Sequence, residues 1–521
     1  MAFFTGRQHM GVAAVIMAGS IFLSRFMGLI RDKVISFYYG ATIESDIYFA
    51  SFVIPDFLNY LLAGGYFSIT LIPLLAEYFG KNEEEGWSFL SSVLFWVWGV
   101  VTAGTTIAWI GAPYLAKVAA PGFDTIALER LTYFLRIILP AQIFFLLGSC
   151  FSGVLYMRKQ FMVPALVPLV YNASIILGGL LMIDNGMEGF CWGVLGGAVF
   201  GSFMLPYLAV RSGGLQWHFV LKHPGLKRFV LLALPLMIGQ SIVVLDEQFV
   251  RIFGSFSGDG AVSLLNYSRR IMLVPVGVVA QAAGVASYPF LASLVAKGDT
   301  EAFNSTLNRA MRNTILFIVP LSFWMISAAE PTLRLIFQQG SFGASETLGA
   351  TPLLQIMLAS VVFWGVQQMI GRAFYAHKDT ITPAVVGSIV SILALPVYWW
   401  LGKMIGAIGV ALAGSISVML YTVVLSGVWK YKFGGDAFAG VIRMFLLSAI
   451  LCVPALVASA YLIQQVGIAL AGRPLTGAFV SLAVSGTVFC LLYAVTSYLF
   501  APKAIEPIVS FVKVRVLRRS T

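Results

Sequence analysis

Apolar runs of membrane length recur along this chain, parted by short stretches of charge, glycine and proline. A helix needs about 20 apolar residues to cross a bilayer core. Cutting the chain at its polar breaks predicts about fourteen spans, near 11–37, 46–78, 88–116, 127–157, 162–183, 189–211, 228–256, 262–295, 306–329, 350–376, 383–401, 405–429, 441–464 and 475–500. The runs are continuous and do not alternate polar with apolar, so helices are expected and a β-barrel is not. The expected class is an all-α polytopic membrane protein.

Composition supports that pattern. Of 521 residues 59% are hydrophobic and only 11% charged, against about 25% charged in soluble domains. The formal charge of +11 does not point to nucleic acid, because the basic residues are dispersed between membrane-length runs. They favour the even-numbered loops and both termini by roughly three to one, which predicts cytoplasmic termini and an even number of spans. Cys150, Cys191, Cys452 and Cys490 lie inside apolar runs and are expected to be buried small hydrophobes. His9, His218, His223 and His377 show no metal-ligand spacing. The first run is too long for a signal-peptide core and is expected to stay as the first span.

Sliding the chain against itself by about 219 positions exposes an internal repeat. Tyr156-Met157-Arg158-Lys159 with Val163-Pro164-Ala165-Leu166-Val167 falls on Tyr375-Ala376-His377-Lys378 with Thr382-Pro383-Ala384-Val385-Val386. Ile54-Pro55, Gly64 and Pro73-Leu74-Leu75-Ala76-Glu77 resemble Val274-Pro275, Gly284 and Pro289-Phe290-Leu291-Ala292-Ser293, with a gap of about one turn; Gly193-Val194 resembles Gly409-Val410. The offset is six spans, an even number, so the halves are expected to be parallel repeats about an axis normal to the membrane. That predicts a lobe over 1–215 (spans 1–6), a second over 216–435 (spans 7–12), and 436–521 as two extra helices with a basic tail.

Few charges remain inside the spans: Arg25, Arg31 and Asp32 in span 1, Asp46 and Asp56 at the start of span 2, Asp246, Glu247 and Arg251 in span 7, and Arg269 and Arg270 in span 8. An intramembrane arginine costs from about 3 to about 10 kcal/mol or more, so each needs a function or a partner. Arg25 and Arg31 lie about 120° apart around a helix and about 9 Å along it, enough to line one polar wall. One reading makes these charges internal ion pairs, Arg25 or Arg31 with Asp32 or Asp46, and Arg251 with Glu247 at i,i−4. The other makes the arginines a phosphate site, since guanidinium binds phosphate bidentately. Gly64-Gly65 in span 2 reads either as a hinge or portal, or as close helix packing.

Ser24-Arg25 through Arg31-Asp32, Ser45-Asp46, Pro73-Leu74-Leu75-Ala76-Glu77-Tyr78, Ala120-Pro121-Gly122-Phe123, Asn266-Tyr267 with Arg270, Phe337-Gln338-Gln339-Gly340-Ser341-Phe342 and Arg372-Ala373-Phe374-Tyr375-Ala376 with Asp379-Thr380 and Thr382-Pro383 together resemble the MurJ/MviN family. These are lipid II flippases of the multidrug/oligosaccharidyl-lipid/polysaccharide exporter superfamily. The likeness covers about the first 430 residues in order. It implies fourteen helices, a cationic cavity opening to each side of the inner membrane in turn, and a lipid-tail groove at the last two helices. The implied substrate is the undecaprenyl-pyrophosphate-linked disaccharide-pentapeptide. Arg25, Arg31 and Arg270 fall on the family's essential arginines, and Asp32 and Asp46 on its acidic positions. This chain departs from the family with Asn59, where another arginine is usual, and Gly64, where glutamate is usual; Arg269 is a candidate to replace the missing charge.

The resulting expectation is a flippase and not an enzyme, with Ser24, Arg25, Arg31, Asp32, Asp46, Asn59, Arg269 and Arg270 at the substrate. It needs no bound cofactor. No Walker A motif is present, so the membrane potential or a monovalent cation is the candidate energy source. Expected partners are lipid II, membrane lipids and the cell wall synthesis machinery, with no nucleic acid. A flippase for another polyprenyl-linked glycan, a drug or cation antiporter, and a membrane scaffold are the competing readings.

Overall fold

The computed structural model describes residues 8–63, 66–241 and 245–502. Gly64, Gly65 and the basic tail from Lys503 lie outside the described residues. All regular structure among the described residues is helical, as the continuous apolar runs predict. Eleven helices there are long and apolar enough to cross a membrane. Three features reconcile this with about fourteen predicted spans.

Span 2 is interrupted at Ser51–Phe52: α2 follows α1 (Met10–Tyr39) as Ile43–Ala50, then comes α3 (Val53–Ala63), and α4 (Tyr66–Lys81) lies beyond the two residues that are not described. Pro55 has no N–H to give the Ser51 carbonyl four residues back, so the helix breaks before it; at the break Ser51 Oγ donates to Tyr48 O at 2.6 Å. Span 7 is described on either side of residues 242–244, as Pro224–Ser241 and Leu245–Gly254, and neither part alone is counted among the eleven. Spans 11 and 12 run on as one helical stretch, Ile381–Phe433, but Ile405 and Gly406 inside it leave helical geometry. Gly406 has φ 59°, and a Cβ on Gly409 would lie 2.0 Å from Leu401 O, so the two helices fold back through a turn that only glycine permits.

The chain forms two compact units, Met1–Ser263 and Leu264–Thr521. In the first, α5 (Glu83–Ile110), α6 (Ala112–Ala119), α7 (Thr125–Ile138), α8 (Ala141–Met157), α9 (Met162–Leu181) and α10 (Glu188–Gly196) follow α4. A π-helical turn then leads to α11 (Leu205–Ser212), α12 (Pro224–Ser241) and α13 (Leu245–Gly254). Asn82 caps α5 by accepting from Glu85 N at 2.6 Å, and Asp124 caps α7 by accepting from Ala127 N at 2.8 Å, satisfying donors that a helix start leaves open. Leu71, Leu75, Trp87, Phe89, Phe151 and Val154 form a buried core where α4, α5 and α8 meet. Along another face α1 packs on α9, tied by Ser20 Oγ donating to Ala165 O.

Helix α14 (Ala261–Pro275) begins at the end of the first unit. The second unit holds α15 (Ala282–Lys297), α16 (Thr300–Ser327), α17 (Ala329–Ile336), α18 (Ala344–Ala359), α19 (Val361–Ala376), α20 (Ile381–Phe433), α21 (Val441–Ala469) and α22 (Pro474–Phe500). Helices α21 and α22 pack on each other, and α21 also packs on α16. Cys150, Cys191 and Cys452 are buried, but Cys490 on α22 is exposed. An apolar run says that a residue belongs in the membrane, not whether it faces lipid or protein.

The internal repeat has a backbone counterpart. Helix α8 ends with Lys159 at φ 61°; Lys159 N–H donates to Tyr156 O at 3.0 Å and Gln160 N–H to Leu155 O at 2.8 Å. Helix α19 ends with Lys378 at φ 61°; Lys378 N–H donates to Tyr375 O at 3.0 Å and Asp379 N–H to Phe374 O at 3.0 Å. Both are Schellman turns built on a left-handed lysine. The next turn repeats too, with Gly186 at φ 69°, ψ −149° and Gly406 at φ 59°, ψ −140°.

Candidate functional site

Arginine on a bilayer helix requires a partner, and Arg31 has one beside it. Its Nε and Nη2 donate to Asp32 Oδ1 at 3.0 and 2.9 Å, with Nη1 3.5 Å from Asn172 Oδ1 on α9. The Asp32 side chain is fully buried and that of Arg31 14% exposed. Tyr48 and Tyr171 stand within electrostatic reach of the guanidinium. Asn172 Nδ2 donates to Pro168 O at 2.9 Å, which leaves its amide oxygen for the arginine. Ser24 is half-buried and Arg25 exposed on the same helix.

Asp46 does not take an arginine, one of the pairings the sequence allowed. Its Oδ1 accepts from Ser263 N at 2.7 Å and Ser263 Oγ at 2.5 Å, and Ser263 Oγ is 2.8 Å from Ser45 Oγ. Ser263 lies in the first turn of α14, so the carboxylate serves the open N–H groups and positive end of that helix. Among the described residues no arginine forms an ion pair with Asp46.

The third group joins α3 to α13. Arg251 Nη1 donates to Asp56 Oδ2 at 2.8 Å and to Gln248 Oε1 at 3.2 Å, and Nη2 to Glu247 Oε1 at 3.3 Å. The pairing of Arg251 with Glu247 follows from i,i−4 spacing; the bond to Asp56 is visible only in the tertiary structure. Asn59, half-buried, is one turn beyond Asp56 on α3. Gly64 and Gly65, the expected hinge, fall outside the described residues. Arg269 and Arg270 are half-buried on α14, in the second unit.

Sequence reading passed over Tyr48, Tyr171 and Asn172. A polar Asn172 between Pro168 and Gly178 in an apolar run was the available signal for that wall. Arg130 on α7 carries a further ion-pair group. It lies 2.9 Å from Glu44 and 3.8 Å from Glu188, and 4.6 Å over the Phe134 ring, bracing α7 against the first turns of α2 and α10. Among the described residues no group of three or more His, Cys, Asp or Glu side chains could hold a metal ion.

This all-helical membrane fold, with buried charge on its first two spans, is shared with solved membrane proteins. Its solved relatives include an inward-facing multidrug resistance MATE family transporter of the MOP superfamily (TM-score 0.67, 12% identity, 83% of this chain and 99% of that one). Another is a "Lipid II flippase MurJ, inward closed conformation", with TM-score 0.78 and 24% identity over 94% of this chain and 100% of that one. The family model described as "Lipid II flippase MurJ" matches residues 35–472, and the chain belongs to that family. It is 26% identical over 426 residues to the "Probable lipid II flippase MurJ" of Haemophilus influenzae, covering 76% of this chain and 82% of that one. It is 27% identical over 427 residues to the "Lipid II flippase MurJ" of Burkholderia cenocepacia, covering 79% and 82%.

Proposed function

We propose that this chain carries lipid II from the cytoplasmic to the outer leaflet of the bacterial inner membrane by alternating access. The observation that carries the proposal is family membership across residues 35–472. The charged wall of the first unit supports it: a phosphate-bearing head needs arginines at membrane depth, and Arg25 and Arg31 are there. Arg270, with Arg269 beside it, is assigned to the same task from the second unit, and Asp32, Asp46, Asn59 and Ser24 to setting its electrostatics.

In this scheme the termini are cytoplasmic, 1–215 and 216–435 act as the two moving lobes, and 436–521 guides the lipid tail. The pyrophosphate meets the arginines, the sugar-peptide head enters, and the lobes exchange access without any bond being made or broken. No resident cofactor is assigned. Moving one charge through 100 mV is worth about 2.3 kcal/mol, so the membrane potential is the energy source we favour, with a monovalent cation as the other candidate. The cell wall synthesis machinery is the partner that would consume the flipped substrate.

Alanine at Arg25, Arg31 or Arg270 should abolish rescue of a flippase-depleted strain while the protein still reaches the membrane. Normal growth of all three variants refutes the pyrophosphate assignment. A flippase for another polyprenyl-linked glycan is the second reading, favoured by the neutral Asn59. Rescue of glycan-export mutants in place of peptidoglycan mutants would select it.

A further inference from the structure

Arg251 is unused in the scheme above, and its surroundings are unusual. The side chain is 12% exposed, yet its two terminal nitrogens reach different carboxylates, Asp56 and Glu247, which are 32% and 34% exposed. Asp56 is also within electrostatic reach of Arg31, and Tyr171 of both. The linked side chains Arg31, Asp32, Asp56, Glu247 and Arg251 therefore comprise two cations and three anions. Arg251, more buried than Asp56 and Glu247, is thus held by two partly exposed carboxylates at once.

Two donors held apart on two acceptors can equally grip two oxygens of one diphosphate. We propose that Arg251 is a further phosphate-binding residue, with Asp56 and Glu247 occupying its fork until the substrate's phosphates replace them. Arg31 is tied to its own helical neighbour, so that pair travels with α1. The Arg251–Asp56 bond joins separate helices, α13 and α3, 195 residues apart, and opens when either moves. Asp56 is then a positioning residue that delays anion capture. The inference rests on the flippase reading, and its test is chosen to separate the two.

The test uses the full-length purified protein, with native mass spectrometry against undecaprenyl pyrophosphate and against uncharged undecaprenol, and a flipping assay in vesicles. Arg251→Gln should lower occupancy by the pyrophosphate lipid about tenfold, the value of one lost charge-assisted contact, and leave undecaprenol unchanged. Asp56→Asn should raise that occupancy and slow turnover, lowering KM and kcat together. The swap D56R/R251D should keep an ion pair between α3 and α13, melt somewhat below the parent because a carboxylate at 251 faces Glu247, and fail to recover pyrophosphate binding. Arg251→Lys, which keeps the charge without the fork, gives the same readout if Arg251→Gln does not fold, with an intermediate loss expected. Recovery of binding and flipping by the swap overturns the inference, since a structural pair needs only opposite charges. Unchanged pyrophosphate binding in Arg251→Gln overturns it as well while leaving the flippase reading intact. Failure of the parent protein to take up the pyrophosphate lipid overturns both.

Discussion

Replacing Asp32 by asparagine keeps its shape and removes the charge that offsets Arg31. The magnitude follows from the geometry. Asp32 is fully buried, and one of its oxygens accepts two donors of the same guanidinium, at 2.9 and 3.0 Å. Removing one partner of such a pair strands a buried charge and costs about 3–5 kcal/mol, a large share of a typical stability of about 5–15 kcal/mol. Arg31→Gln should also cost stability, because it removes two donors from one oxygen of the buried Asp32. The double variant leaves no buried charge and should lie closer to the parent than either single one, a coupling of several kcal/mol. Thermal melts of the four proteins in one detergent close the cycle. Additive losses, or an Asp32→Asn protein that melts with the parent, would refute the pair as an energetic unit.

The left-handed lysines make a paired prediction. A side chain at φ 61° costs about 1 kcal/mol that glycine does not pay, so Lys159→Gly and Lys378→Gly should each raise stability by up to about 1 kcal/mol, nearly equally because the two turns match. A drop in melting temperature at either site would contradict the repeat-turn assignment. Asp379, in the loop before α20, accepts from Thr382 N at 3.0 Å, Thr382 Oγ1 at 2.7 Å and Lys432 Nζ at 2.6 Å. Partial burial pushes its carboxyl up, but these hydrogen bonds outweigh that and hold it below the usual carboxylate range. A depressed pKa stabilises the fold above the unfolded value of about 3.9, and that stabilisation is lost as pH falls through the folded one. Asp379→Asn should therefore cost under about 1 kcal/mol near neutrality, because Lys432 is half exposed, and nothing in strong acid. Melts at the two pH values check the difference.

The helical class, the number of spans and the repeat were all legible in the sequence, because each is written in local and periodic features. A run of about 20 apolar residues must be helical in a bilayer whatever its neighbours are. The Tyr-x-x-Lys match at 156–159 and 375–378 marked two turns that proved alike down to their hydrogen bonds. Proline and glycine breaks were visible too, but not their outcome. Pro55 splits span 2 into pieces, whereas Ile405 and Gly406 reverse the chain inside one apparent helix.

The sequence also named the costly charges and confined them to four spans. Choosing their partners was left to the tertiary structure. Arg31 took its neighbour Asp32, Asp46 went to the start of a helix 217 residues away, and Asp56 reached Arg251 across 195. In a low-dielectric interior a buried charge is settled by whichever complementary group lies within about 4 Å. That distance depends on how helices remote in sequence pack, and no local pattern encodes it. Sequence alone therefore determined that charge stands within the apolar spans and at which residues, and the packing of the helices decided which of those charges are buried and what each one holds.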